Sequence, residues 1–316
     1  MTEKVAVIGA GLIGRAWAIT FARGGCRVAL YDSDPERAGE TLRAAAILIS
    51  EIEARGMLAG GSAAEVRGRI SGAETIEAAL DGARHVQENI PEELEAKRAI
   101  FTRMDRVAAP ETVLASSSSG ILPSRFTETL AGRHRCIVAH PINPPYLVPA
   151  VELVPAAWTE PAVLERTRAL MSGIGQVPIV MRRELEGFIM NRLQGALLQE
   201  AFRLVANGYA SAADVDAGIS KGIGRRWAFM GPFETIDLNA PEGVRDYVAR
   251  YEGLYRHLAD SQAEPVPWAG SLTERIETEL SRKVPRARLA ERQQWRDRRL
   301  MALALHLARD EEEIGR

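Results

Sequence analysis

The sequence predicts an α/β protein, in which a doubly wound, mostly parallel sheet is followed by an all-helical C-terminal domain. Three observations lead to this prediction. Short apolar runs alternate with helical stretches through the first half of the chain, a glycine-rich turn follows the first run, and the strand-like runs stop after about Glu184. We therefore expect two domains, over residues 1–184 and residues 185–316.

The glycine-rich turn directly follows the first strand-like run, residues 5–8, and opens a helical stretch. Gly9 permits the tight turn, Gly11 lets the backbone approach a pyrophosphate, and Gly14 lets the helix pack close to the strand. The amides and positive dipole end of that helix would then face phosphates. A glycine-rich turn without a ligand is the alternative, but the context favours a Rossmann-type dinucleotide-binding domain. The predicted cofactor contacts in the turn are Gly9, Gly11, Leu12, Ile13 and Gly14.

The second strand-like run, residues 28–31, ends at an acidic residue, Asp32. Its carboxylate can accept hydrogen bonds from a ribose diol and would repel a 2′-phosphate. The predicted cofactor is therefore NAD rather than NADP.

The remaining elements follow the same alternation and then change to helices. The further strand-like runs are residues 85–87, 113–115, 136–139, 151–154 and 177–180. The helical stretches are residues 36–55, 188–206, 212–219, 242–259, 273–282 and 289–308. By analogy with other doubly wound proteins, the C-terminal helices would close the ligand cleft or form a dimer interface, although they also fit a simple packing appendage.

Composition excludes several classes of function. A net charge of −2 and a pI near 6.3 provide no basic surface for nucleic acid or an anionic membrane. Cys26 and Cys136 lack CxxC spacing and are expected to be buried thiols of a reducing compartment. The first strand begins near Lys4, which leaves no room for a signal peptide, and no apolar run is long enough for a membrane span. We expect a cytoplasmic protein.

His140 is the strongest candidate for chemistry. It follows an apolar strand at the carboxyl end, where ligands bind in open α/β sheets, and a proline-rich loop follows it. Glu152 lies in the next strand-like run, where a buried acid needs a partner, and His140 is within plausible reach. Alone, His140 also fits a core histidine, but a His–Glu pair is typical of a general base that takes a proton from a hydroxyl.

A run of serines, residues 116–119, ends another strand. Its hydroxyls can bind substrate or the nicotinamide amide, although such a run is also typical of a loop or helix cap. There is no GxSxG motif to indicate a serine hydrolase, and no histidine–carboxylate spacing that indicates a catalytic metal.

The motifs around His140 resemble those of the 3-hydroxyacyl-CoA dehydrogenase superfamily, through the segment His-Pro-Ile-Asn-Pro-Pro at 140–145, Glu152 and the glycine turn. Within that superfamily, the sequence is more similar to the lambda-crystallin group of L-gulonate 3-dehydrogenases. The segments that carry this narrower likeness are 116–119, 140–146, 151–155, 187–194, 231–235, 238–240 and 292–297, which together extend over nearly the whole chain.

The resemblance implies a role for each matching residue. His140 would be the catalytic base and Glu152 its orienting partner. Ser119 would contact the substrate oxygen, with Ser118 as the alternative if the alignment is shifted by one residue. Asn191 would complete the site from the helical domain, although alone it fits an ordinary helix-surface amide.

The resemblance also implies a mechanism and an assembly. Glu92 and Lys97 would contact the nicotinamide ribose, and Asn143 would order the cofactor and the site, although these three also fit a charged helix start. The reaction would oxidise a secondary alcohol at the 3-position of a carboxylic acid, with NAD as the hydride acceptor. A homodimer formed through the helical domain is the family expectation.

The substrate remains open among three possibilities. Residues 51–58 are acidic and lack the lysines that would bind CoA phosphates, and Arg226 can clamp a carboxylate or be a surface arginine. Residues 226–231 also resemble L-carnitine 3-dehydrogenases, with Trp227 and Phe229 as an aromatic box or as core. L-gulonate is favoured, L-carnitine or a 3-hydroxyacyl-CoA such as 3-hydroxybutyryl-CoA comes second, and a crystallin-like NAD-binding protein without activity comes third.

Overall fold

The computed structural model describes residues 3–58 and 61–315. The described chain forms two compact units. The first runs to Asn191 and includes Arg299–Leu305, and the second comprises Arg192–Arg298 and the residues from His306 onward. The domain boundary expected at residue 184 remains a prediction.

The first unit is built on one eight-stranded sheet. Its strands are β1 (Lys4–Ile8), β2 (Arg27–Tyr31), β3 (Ile70–Gly72), β4 (His85–Glu88), β5 (Val113–Ser116), β6 (Cys136–Pro141), β7 (Ala150–Pro155) and β8 (Val177–Val180). The strand order is β3-β2-β1-β4-β5-β6-β7-β8, and every neighbouring pair is parallel except β6 and β7. The predicted doubly wound, mostly parallel sheet is confirmed. The short β3 is not among the predicted runs, because three residues carry too little pattern.

Helices cover both faces of this sheet, as buried parallel strands require. They are α1 (Leu12–Arg23), α2 (Pro35–Ala54), α3 (Ala63–Gly68), α4 (Ile76–Leu80), α5 (Leu94–Val107), α6 (Pro123–Thr127) and α7 (Pro161–Gly173). Side chains that alternate along each strand fill two separate cores. One core includes Trp17 and Phe21 of α1, and the other includes Phe101 of α5 and Phe126 of α6.

The topology places the candidate site residues of the first unit at one edge of the sheet. The parallel strands β1, β2, β4, β5 and β6 all end at the same edge, where the loops that follow them meet. The glycine turn follows β1, Asp32 follows β2, the serine run follows β5, and His140 lies near the end of β6. Because β7 is antiparallel to β6, Glu152 is placed directly opposite His140 in the ladder.

The described part of the second unit is helical, which confirms the predicted all-helical region after the sheet. The α-helices after β8 are α8 (Met190–Ala206), α9 (Ala212–Ala217), α10 (Pro232–Leu238), α11 (Val244–Ser261), α12 (Ser271–Lys283) and α13 (Leu289–Glu313). Helix α8 begins two residues later than predicted, because Gly187 and Phe188 have φ values of +76° and +50°. None of the described helices has the length and apolar character needed to cross a membrane.

Candidate active site

The glycine turn has the geometry that its sequence predicts. Gly9 has a φ of +93°, in the region that favours glycine. A Cβ on Gly14 would lie 1.8 Å from the carbonyl oxygen of Gly9, so only glycine lets α1 start this close to β1. A Cβ on Gly11 would meet no atom within 4 Å, so the space beside this residue is open. Gly11 is the N-cap of α1 and provides no capping side chain.

Asp32 lies beside this turn. Its Oδ2 accepts a hydrogen bond of 2.7 Å from the amide of Ala10, and its Oδ1 accepts one of 3.0 Å from Asp34. The first-turn amides of α1, including those of Leu12 and Ile13, have no partner within the helix. Open space at the helix start and an anchored carboxylate at the end of β2 fit a dinucleotide, with the pyrophosphate at the amides and a ribose at Asp32.

His140 and Glu152 form a buried pair. The Nδ1 of His140 lies 2.7 Å from Oε2 of Glu152, and Glu152 has no exposed surface. Because a carboxylate only accepts hydrogen bonds, the ring proton is on Nδ1, and Nε2 is left as an acceptor. Nε2 has no hydrogen-bond partner among the described residues. The ring of Phe188 packs against the imidazole, with 5.6 Å between the ring centroids.

The second oxygen of Glu152 holds the backbone that leads into α8. Oε1 accepts hydrogen bonds from the amides of Ile189 (2.7 Å) and Met190 (2.9 Å). Burial would raise the pKa of Glu152, but hydrogen bonds from His140 and these two amides outweigh it and lower the pKa below its usual value. Glu152 is therefore a carboxylate at neutral pH, and it accepts its hydrogen bonds from the His140 ring and from the backbone at the start of α8.

The serine run and Asn191 come together in the first unit. The Nδ2 of Asn191 donates a 2.6 Å hydrogen bond to the carbonyl oxygen of Ser119, whose side chain is exposed. The Ser118 hydroxyl is buried and lies 2.6 Å from Oε1 of Glu92. The same oxygen accepts hydrogen bonds from the amides of Ser119, Gly120 and Ile121. Glu92 thus holds the turn that presents Ser119.

Lys97 is buried beneath this turn. Its ammonium lies 3.0 Å from Oε2 of the fully buried Glu88, and 3.5 Å from Oε2 of Glu92. Burial raises the pKa of Glu88, although Lys97 and the hydroxyl of Ser116 oppose that effect. For Glu92, hydrogen bonds from Ser118 and the charge of Lys97 overcome the effect of burial and lower the pKa. The roles of Glu92 and Lys97 as cofactor contacts remain predictions.

Two other predicted residues take no part in the hydrogen bonds described above. Asn143 is exposed and precedes Pro144 through a cis peptide bond, in the loop between β6 and β7. Arg226 belongs to the second unit, where its Nη1 lies 3.4 Å from the side-chain oxygen of Asn239. Trp227 and Phe229 are exposed, so the alternative that they are core residues is wrong.

Sequence reasoning missed two polar residues of the central strand, Gln87 and Glu88. Both are fully buried and hydrogen-bonded at the carboxyl edge of the sheet. The available signal was their position: two adjacent polar residues end a strand that the pattern predicts to be buried on both faces, where each requires a partner.

Comparisons with known proteins match both parts of the chain to one family. The model of the 3-hydroxyacyl-CoA dehydrogenase NAD binding domain matches residues 4–185, and that of the 3-hydroxyacyl-CoA dehydrogenase C-terminal domain matches residues 187–284. The chain is 45% identical to a lambda-crystallin homolog of Mus musculus over 305 residues, or 95% of each chain. It is 33% identical to an L-carnitine dehydrogenase of a Pseudomonas species over 310 residues, covering 95% of this chain and 92% of that relative.

A solved structure is similar over the same extent. The structure of 5-formyl-3-hydroxy-2-methylpyridine 4-carboxylic acid 5-dehydrogenase, an NAD+ dependent dismutase, superposes with a TM-score of 0.80 at 27% identity, covering 96% of this chain and 97% of that one. The resemblance to lambda-crystallin inferred from the sequence motifs is confirmed. The chain belongs to the 3-hydroxyacyl-CoA dehydrogenase family and is an NAD-dependent oxidoreductase.

Proposed function

We propose that the protein oxidises the 3-hydroxyl of a small hydroxy acid with NAD, and that the acid is L-gulonate, which becomes 3-dehydro-L-gulonate. The buried pair of His140 and Glu152 is the observation that supports this chemistry most directly. It leaves one imidazole nitrogen available to take a proton, at the edge of the sheet where the glycine turn lies.

In the proposed reaction, Nε2 of His140 accepts the proton of the substrate hydroxyl. Glu152 holds the ring by Nδ1 and stabilises the imidazolium that forms. The exposed Ser119 hydroxyl contacts the substrate oxygen; the hydroxyl of Ser118 is already engaged by Glu92, which supports Ser119 for this role. Asn191 orients the turn that carries Ser119. NAD, when bound, supplies the ring that accepts the hydride.

Replacement of His140 tests this proposal. We expect His140→Ala to lower turnover by about 10²- to 10⁴-fold, because the general base is lost. NAD binding, measured by calorimetry, should be unchanged. His134→Ala is the control, because His134 is an exposed histidine of the same unit. Turnover by His140→Ala at the wild-type rate would contradict the assignment.

The choice of L-gulonate rests on sequence. The 45% identity to a lambda-crystallin homolog exceeds the 33% identity to the L-carnitine dehydrogenase of the Pseudomonas species. The latter similarity makes L-carnitine the second candidate. Residues 51–58, which include the end of α2, carry two acidic residues, Glu51 and Glu53, and no lysine, which disfavours a CoA thioester.

A substrate panel separates these candidates. NADH formation should be followed with L-gulonate, L-carnitine, 3-hydroxybutyrate and L-3-hydroxybutyryl-CoA. We expect the highest kcat/KM with L-gulonate. A higher value with another compound would replace L-gulonate by that compound. A lack of turnover with all four would favour the crystallin-like alternative or a substrate outside the panel.

We also propose that the protein is a homodimer that uses α11. This helix exposes an apolar and aromatic stripe with helical spacing, formed by Val244, Val248, Tyr251, Tyr255 and Leu258. Such a stripe is typical of an interface. We expect a dimer in light scattering coupled to size exclusion, and a monomer for Tyr251→Glu. A monomeric wild type would contradict this proposal, and Arg250→Glu on the same helix is the control for added charge.

A further inference from the structure

A buried glutamine joins three strands on the face of the sheet that packs against α1. Gln87 lies in β4 and has no exposed surface. Its Nε2 donates hydrogen bonds to the hydroxyl of Ser117 (2.7 Å) and to the carbonyl oxygen of Ala139 in β6 (3.0 Å). Its Oε1 lies 3.0 Å from Nε2 of His85. One side chain therefore connects β4, the end of β5 and β6.

The direction of each of these hydrogen bonds is determined by chemistry. The carbonyl of Ala139 can only accept, so the amide NH₂ of Gln87 must face it. Oε1 then faces His85, and the proton of the neutral His85 ring lies on Nε2. Every polar atom of the Gln87 side chain is used, so its orientation is unique.

The hydroxyl of Ser117 extends these bonds to the glycine turn. It accepts a hydrogen bond of 2.9 Å from the indole of Trp17 in α1 and donates one of 2.8 Å to Asn89. The Nδ2 of Asn89 lies 3.3 Å from the carbonyl of Ile8, the residue before Gly9. A Cβ on Gly9 would lie 2.9 Å from the backbone of Asn89, so these two segments are in close contact.

The hydrogen bond from Gln87 to Ala139 lies just beyond the last residue pair between β5 and β6. Pairing of β5 with β6 ends at Ser116 and Val138, so Ala139 is one residue beyond the last pair. Ala139 directly precedes His140. Ala115 lies between Gln87 and Ile137 in the register, and its small side chain leaves room for the glutamine to reach across β5.

We propose that Gln87 and Ser117 are positioning residues, whose buried hydrogen bonds hold the backbone before His140 at a fixed place relative to the glycine turn. In this role, both residues act through the backbone before His140 and not through contact with the substrate. Because a displacement of about 1 Å in an active site can cost about 10²-fold in rate, this support affects kcat more than binding. The inference rests on the proposed role of His140 as the base.

Substitution of Gln87 provides the first test. Gln87→Met has a similar length but makes none of these hydrogen bonds, and we expect kcat to fall about 10- to 100-fold with the acid that the wild type oxidises best. KM for the acid and the dissociation constant for NAD should stay within about 3-fold. Thr112→Val is the matched control, because Thr112 is buried and donates a 2.7 Å hydrogen bond to the carbonyl of Ala83 at the opposite edge of the sheet.

Ser117 gives an independent test by rescue, which also applies if Gln87→Met does not fold. Ser117→Ala should lower kcat about 10-fold, and Ser117→Thr, which keeps the hydroxyl, should restore most of it. A wild-type kcat in both Gln87→Met and Ser117→Ala, or an equal loss in Thr112→Val, would overturn the proposal.

Histidine-selective NMR gives a readout that needs no substrate, since the chain has only five histidines. The ring signal of His140, assigned by its loss in His140→Ala, should shift in Gln87→Met and Ser117→Ala but not in Thr112→Val. An unchanged His140 signal would overturn the positioning role. If His140→Ala retains turnover while this signal shifts, the proposed function fails and the structural coupling stands.

Discussion

At Glu152, one carboxylate performs two tasks. One oxygen holds the ring of His140, and the other accepts two amides at the start of α8. A fully buried carboxylate is stable only because all of these donors converge on it. The orientation of the imidazole and the path of the chain into α8 therefore depend on the same side chain.

Glu152→Gln should distinguish the effect of the carboxylate charge from the effect of the side chain's size and shape. The amide has a similar size, but it cannot stabilise an imidazolium, and its NH₂ group would face donors. We expect turnover to fall by about 10²-fold or more, measured as NADH formation. Glu184→Gln is the control, because Glu184 also accepts a backbone amide, that of Ser124 near the start of α6. Equal losses in the two variants would contradict a specific role for Glu152.

Asp32 should determine the choice of cofactor. Asp32→Asn keeps an oxygen that can accept the hydrogen bond of Ala10, but it removes the charge that would repel a 2′-phosphate. We expect the ratio of kcat/KM for NAD over NADP to fall at least 10-fold. An unchanged ratio would show that another group discriminates the two cofactors. Asp34→Asn, at the N-cap of α2, is the control.

At the scale of elements, the glycine turn shows that similar glycines have different purposes. Gly14 allows close packing inside the protein, whereas Gly11 leaves open space outside it. The sequence motif predicts both roles. Each role depends only on the backbone conformation of the turn and on how closely other atoms approach it, and both are local properties.

This difference predicts opposite results for two alanine substitutions. Gly14→Ala places a Cβ 1.8 Å from a carbonyl oxygen, so we expect the free energy of unfolding to fall by about 1–3 kcal/mol, as in overpacked cores. Gly11→Ala should leave the urea midpoint of unfolding nearly unchanged and weaken NAD binding at least 10-fold. Gly39→Ala, within α2, is the control for glycine replacement in a helix. Tight NAD binding by Gly11→Ala would contradict the placement of the pyrophosphate.

At the scale of the whole molecule, the sheet places a titratable group in its interior. Burial lowers the pKa of His85 to about 4, against an ordinary value of 6.5, and the hydrogen bond to Gln87 only partly opposes this effect. The folded state therefore binds fewer protons than the unfolded state between these two values. Stability from this group is fully present above pH 6.5 and is lost as the pH falls towards 4.

We expect the free energy of unfolding to decrease by up to about 1.4 kcal/mol per pH unit between pH 6.5 and pH 5 because of His85. Urea unfolding at several pH values measures this slope. His85→Asn, which cannot titrate, should have a shallower slope in the same range. Identical slopes in the two proteins would show that His85 is not responsible.

Much of this molecule could be predicted from its sequence. The sequence predicts the strand-like runs, the glycine turn, Asp32 and the pairing of His140 with Glu152. Each of these depends on a short-range pattern or on a buried charge that needs a partner. The start of α8 was predicted two residues early, because apolar periodicity does not report the left-handed conformations of Gly187 and Phe188.

The sequence alone determined the class of fold and the family, and it predicted the pairing of His140 with Glu152, since these follow from local backbone requirements and residue types. Only the tertiary structure decided which of the other polar groups meet. The burial of Lys97 against Glu88, the four hydrogen bonds accepted by one oxygen of Glu92, and the reach of Gln87 across β5 join residues from different elements. Such contacts depend on strand order and register, which no local pattern encodes.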